Sequence, residues 1–136
     1  MKTFLILTIA GVFAIASCNK YQIYPPGTNP VTYPQRKVRF ELFTNENFAG
    51  DKGNIQFTIH MGTAPRPVFD SSLATMKIED IPDSAHRIII EKLVPGNDTS
   101  TLEVGFLYTI ENVGYSWHLE LFKGGETFKL VQYSFK

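Results

Sequence analysis

The sequence predicts an all-β fold, a two-layer antiparallel β-sandwich of about seven strands. Three observations carry this expectation. Apolar residues recur with period two in most segments after residue 36, as in strands with one buried and one solvated face. Clusters rich in Asn, Gly, Asp and Pro separate those segments at short intervals, and these residues tolerate turn dihedrals. No stretch of a dozen residues carries a helical stripe of apolar side chains.

The chain opens with Lys2 and then Phe4 to Ala16, an apolar run of 13 residues. That is well short of the ~20 needed to span a bilayer as a helix, and it has the layout of an export signal over residues 1–17. The run ends in Ile15-Ala16-Ser17-Cys18, which resembles the lipobox of bacterial lipoproteins. The resemblance implies cleavage before Cys18 and lipidation of its thiol, leaving the protein anchored to a membrane without crossing it. Cys18 is the single cysteine, so it has no disulfide partner within the chain, and lipidation accounts for a lone thiol in an exported protein. Asn19 and Lys20 follow it, with no nearby aspartate or acidic stretch. By the same resemblance this implies a cell-envelope location, on the outer membrane and facing the periplasm, with exposure on the cell surface as the alternative.

Residues 18–36 read as a tether. Pro25, Pro26, Pro30 and Pro34 make up half of the eight prolines, and proline favours extended backbone over helix or central strand. The tether also holds Tyr21, Tyr24 and Tyr33, which read as linker residues. The sandwich domain is then residues 37–136, enough for one core. After cleavage the chain has 12 Lys and Arg against 13 Asp and Glu, because Lys2 leaves with the leader. This balance, with no basic run, excludes a nucleic-acid binder that tracks phosphates.

Strands follow from the alternation. Lys37 to Thr44 places Val38, Phe40 and Leu42 on one face with Arg39 and Glu41 on the other. Asn54 to Met61 places Ile55, Phe57, Ile59 and Met61 inward. A third strand falls within Val68 to Ile78, before the break at Asp80-Ile81-Pro82-Asp83. Arg87 to Leu93 contains Ile88, Ile89 and Ile90, a run suited to a strand covered on both faces. Leu102 to Ile110 and Tyr115 to Phe122 both alternate. Facing their apolar sets pairs Ile110 with Tyr115, Tyr108 with Trp117 and Phe106 with Leu119, across a loop of two or four residues. The Gly124-Gly125 turn then predicts a second hairpin, pairing Leu121 with Phe128, Leu119 with Leu130 and Glu120 with Lys129. The C-terminus is therefore expected to be a three-stranded meander with Trp117 in the core.

Seven strands over 100 residues suggest an immunoglobulin-like or prealbumin-like sandwich, with a small closed barrel as the alternative. As a whole the chain resembles the small lipoproteins of Bacteroidetes, on the specific evidence of residues 1–18. Asp83-Ser84-Ala85 resembles the short O-glycosylation motif of exported proteins of that group, which implies a glycan on Ser84. Asn97-Asp98-Thr99 fits the eukaryotic sequon, which has no bearing on a lipobox protein.

Chemistry is sparse. The histidines are His60, His86 and His118, with no HExxH, cysteine cluster, phosphate-cradling glycine loop or GxSxG elbow. No catalytic residue, metal site or cofactor is assigned, and the chain is not read as an enzyme. His118 and Glu120 share a strand face but read as a solvated surface. Glu46, Asp51 and Asn54 read as turn chemistry rather than calcium ligands. Nothing places Glu79 and Asp80 across a cleft as glycosidases require. The expected function is a lipid-anchored module binding an unknown envelope protein. A glycan-binding accessory protein is the alternative, and a hydrolase ranks last. In the register above, His118, Phe122, Val131, Tyr133 and Phe135 lie outward, and they form the candidate interaction surface.

Overall fold

A computed structural model describes residues 34–63, 66–96 and 99–136. The export signal, Cys18 and the tether up to residue 33 lie outside the described residues, as do Asn97 and Asp98. Eight strands occur among the described residues: β1 (Lys37–Thr44), β2 (Asn54–Thr63), β3 (Arg66–Ser72), β4 (Met76–Lys77), β5 (Ile88–Leu93), β6 (Leu102–Ile110), β7 (Gly114–Phe122) and β8 (Phe128–Phe135). A single 3₁₀ turn at Ile78–Asp80 follows β4. The third expected strand is thus two strands, β3 and β4, both pairing with β2.

The strands form two sheets. One is three-stranded in the order β5-β1-β8, and the other runs β3-β2-β6-β7 with β4 beside β2. Their inner rows share one core in a sandwich-like arrangement, with Val38, Phe40 and Leu42 of β1 fully buried against Phe57 and Phe106 of the other sheet. Phe106 lies edge-on to both Phe40, at 5.7 Å, and Phe57, at 6.3 Å. Edge-to-face packing suits the aromatic quadrupole, so these rings gain more than their buried area alone provides.

Three expectations about the sheets are corrected. β5 is an edge strand rather than one covered on both faces, and Ile89 is 46% exposed. β8 does not hairpin with β7. It crosses to the other sheet and runs parallel to β1, from Lys37 opposite Phe128 to Thr44 opposite Phe135, so the sandwich is not purely antiparallel. Leu121 and Leu119 therefore never face Phe128 and Leu130, and Phe128 and Leu130 point to solvent. The expected Glu120–Lys129 ion pair does form, at 2.6 Å, but from one sheet to the other.

Arg36 braces the crossing. Its guanidinium donates hydrogen bonds to the carbonyls of Phe122 (3.1 Å), Lys123 (2.9 Å), Glu126 (3.0 Å) and Ser100 (2.7 Å). It also stacks 4.0 Å from the Phe122 ring centroid. A residue read as tether is thus a buried part of the domain, 5% exposed, and it gathers the β7–β8 connection over the end of the core.

Candidate binding surface

The surface is created by the loop between β6 and β7. Ile110 pairs with Gly114, which leaves a three-residue connection, Glu111-Asn112-Val113. Asn112 takes φ 60°, Gly114 takes φ 134°, and Val113 N–H donates to the Ile110 carbonyl at 3.1 Å. Asn and Gly are the residues that enter the left-handed region at least cost. An odd loop shifts the register by one residue from the sequence expectation, and a one-residue shift turns every side chain of the strand over. Tyr108 pairs with Ser116, Phe106 with His118 and Leu102 with Phe122.

Strand β7 is consequently inverted. Tyr115, Trp117 and Leu121 lie on the outer face at 75%, 57% and 56% exposure, with Leu119 half-buried between them. Trp117, expected in the core, is solvent-facing. Ser116, His118, Glu120 and Phe122 take the inner row. Gly105 pins this register, because β7 passes so close that a Cβ there would lie 2.0 Å from the His118 carbonyl oxygen.

The expected outward set is corrected accordingly. Phe122 and Val131 are fully buried and Phe135 is 4% exposed, so all three belong to the core. Tyr133 is half-buried between the sheets, stacked on Tyr108 (centroids 5.8 Å apart) and on His118 (4.8 Å), and its hydroxyl donates to the Tyr108 hydroxyl at 3.1 Å. Burial, followed by the bond to Tyr108, pushes the Tyr133 phenol far above its usual range. His118 also meets Glu120 at 3.4 Å. These groups form a polar seam where the two edge strands β7 and β8 leave the sandwich open, beside a shallow depression of about 350 Å³ lined by His118, Gln132, Tyr133, Ser134 and Lys136.

The remaining polar clusters serve local structure. Asp83 accepts bonds from the Ala85 and His86 N–H groups and from the His86 ring, which holds its carboxyl below the usual range, the ring contact contributing most. Ser84 is exposed on this turn. Glu79 binds Lys52 and the Gly50 N–H, and Lys52 is the main cause of its lowered pKa. Asp51 closes a turn onto Gly53, while Asn54 donates to Glu111, so the two do not converge with Glu46. On the three-stranded sheet Glu41 is held by Gln132, Arg87 and Arg39. Among the described residues no three His, Cys, Asp or Glu side chains group to hold a metal.

Two outer faces therefore expose apolar side chains, but differently. On the three-stranded sheet Ile89, Leu93, Phe128 and Leu130 are separated by Lys37, Arg39 and Glu91, and Lys37 pairs with Glu91 at 3.0 Å. On the other sheet Tyr115, Trp117, Leu119 and Leu121 run unbroken along β7, with Leu107 of β6 opposite Trp117. The Tyr115 and Trp117 rings lie 5.7 Å apart and 30° from parallel. No strongly polar side chain interrupts that row. No protein-family model matches the chain, and comparison with curated proteins and with solved structures found no significant match.

Proposed function

We propose that this protein is a binding module displayed from the cell envelope on a lipidated Cys18, with the outer row of β7 as its contact surface. The inverted strand carries this reading: its apolar residues face water while His118 and Glu120 face inward. A continuous exposed apolar row is costly in water and marks a contact more often than isolated exposed residues do. The immunoglobulin-like or prealbumin-like assignment belongs to the same proposal, supported by the division of the seven longer strands into sheets of four and three. Glycan binding is the second reading, favoured by the paired Tyr115 and Trp117 rings.

The contact is tested with a photo-crosslinking amino acid placed at Leu121 of the full-length protein in cells. Adducts are expected at Leu121 and not at the exposed Glu46, and equal labelling at both sites removes the assignment. For the anchor, Cys18→Ala is expected to accumulate unprocessed precursor and lose lipid labelling. Unchanged labelling in that variant contradicts lipidation.

A further inference from the structure

We infer that the β7 row takes an uncharged oligosaccharide lying along the strand, an inference that rests on the binding-module reading and specifies its ligand. Electrostatics, size and strand geometry narrow the ligand in turn.

Strands β2, β6 and β7 contain no lysine or arginine over their whole length. An anionic ligand, whether phosphate, nucleic acid or acidic lipid, needs cationic donors, and these three strands supply no lysine or arginine to meet it. A flat aromatic pair needs no charge complement. The carbon-bound hydrogens of a sugar face carry a small positive polarisation, and the ring quadrupole presents a negative face. Tyr115 and Trp117, with centroids 5.7 Å apart and planes 30° from parallel, offer adjacent aromatic faces.

Size argues against a protein. A large aromatic side chain buries 150–250 Å² when covered, so two partly exposed aromatics and two smaller leucines offer on the order of 400 Å². A stable protein interface needs roughly 800 Å² from each partner. The row is one strand wide, and on β6 it is flanked by Thr109 opposite Tyr115 and Glu103 opposite Leu121, with Gln56 and Thr58 of β2 one strand further on. These hydroxyl and amide groups suit a ligand rich in hydroxyls. From Tyr115 to Leu121 the row runs about 20 Å at strand rise, which fits a short chain of sugar rings.

Strand geometry argues against a peptide adding to the β7 edge. An inward-pointing charged residue on an edge strand discourages strand addition, and Glu120 points inward, tied to Lys129 at 2.6 Å. Contact is left to the face rather than the edge.

Trp117 is the only tryptophan, so its fluorescence reports on this surface alone. Full-length protein is titrated with hexasaccharides of β-1,4-glucose, β-1,4-xylose, β-1,4-mannose, α-1,4-glucose and β-1,4-N-acetylglucosamine, each to about 10 mM, a range that captures weak sugar binding. At least one is expected to shift Trp117 emission to the blue. Tyr115→Ala is expected to weaken that response roughly tenfold, the loss of one stacking partner. An emission shift unaffected by Tyr115→Ala overturns the platform. Silence with all five sugars overturns the carbohydrate assignment. If the Leu121 crosslink still forms in that case, the contact surface stands and only the ligand class falls. A response to anionic phosphatidylglycerol vesicles in place of sugars likewise overturns it, in favour of a lipid surface.

Discussion

Strands β1 and β7 alternate equally well, yet they are buried in opposite senses. β1 lies between two neighbours, and its apolar residues Val38, Phe40 and Leu42 are fully buried. β7 lies at an edge, and its apolar row faces water while Ser116, His118 and Glu120 turn inward. An enclosed strand has its orientation set by the core on one side and ladder partners on both edges. An edge strand has a single ladder, so the parity of one loop can decide which row is buried. The difference teaches that alternation identifies a strand, whereas the loop decides its facing.

The sharpest way to break this comparison is within β7 itself. Phe122→Ala is expected to cost about 3–5 kcal/mol, as for Phe40→Ala on β1, and to lower the melting temperature by on the order of 20 °C in a domain this size. Calorimetry showing a loss below about 1 kcal/mol would return Phe122 to the surface. Next comes the link between the two strands. Arg36 precedes β1 and donates to the carbonyls of Phe122 and Lys123 at the end of β7. Arg36→Met is expected to cost about 3 kcal/mol by leaving those carbonyls unsatisfied, measured by denaturant unfolding. Gly105→Ala is expected to cost about 1–3 kcal/mol through overpacking against β7. A neutral result there would mean that the His118 carbonyl is not held over Gly105.

A smaller effect sharpens the β1 side. Hydrogen bonds from Gln132 and then Arg87 hold the Glu41 carboxyl below its usual value of 4.5. A depressed folded pKa gives stability that is present above the unfolded value and is lost as pH falls through the folded one. The melting temperature is thus expected to fall as pH drops below 4.5, and Glu41→Gln is expected to flatten that fall. Least of all, Trp117→Ser is expected to change stability by no more than about 0.5 kcal/mol, as for surface residues. A large loss would place the ring in the core.

Much of this architecture is legible in the sequence. The limits of β1 and β6 coincide with their alternation, whereas the Glu120–Lys129 pair forms between the two sheets and not in the hairpin that turn rules predict. Two features are hidden, for physical reasons. Apolar matching favours an even loop before β7, and only Asn112 followed by Gly114 hints at the odd connection that forms. Gly124-Gly125 reads as an in-plane hairpin, whereas the connection that crosses to the other sheet is held by Arg36, distant in sequence from the carbonyls it binds. The candidate surface was hidden with the parity of β7. Tyr115 and Trp117 are plain in the sequence, but their exposure is not.

The parallel β1–β8 pair has a mechanical consequence. It holds eight residue pairs in register, so Arg36 and Lys136 sit at opposite ends of one ladder. Tension between those two residues loads the ladder's hydrogen bonds in shear, many at once. Arg36 and Val94, by contrast, are bonded neighbours at one end of the antiparallel β1–β5 pair, with Val94 N–H donating to the Arg36 carbonyl at 2.9 Å. Pulling there peels bonds apart one after another. Forced unfolding follows the barrier rather than the equilibrium stability, so one domain resists strongly along the first axis and weakly along the second.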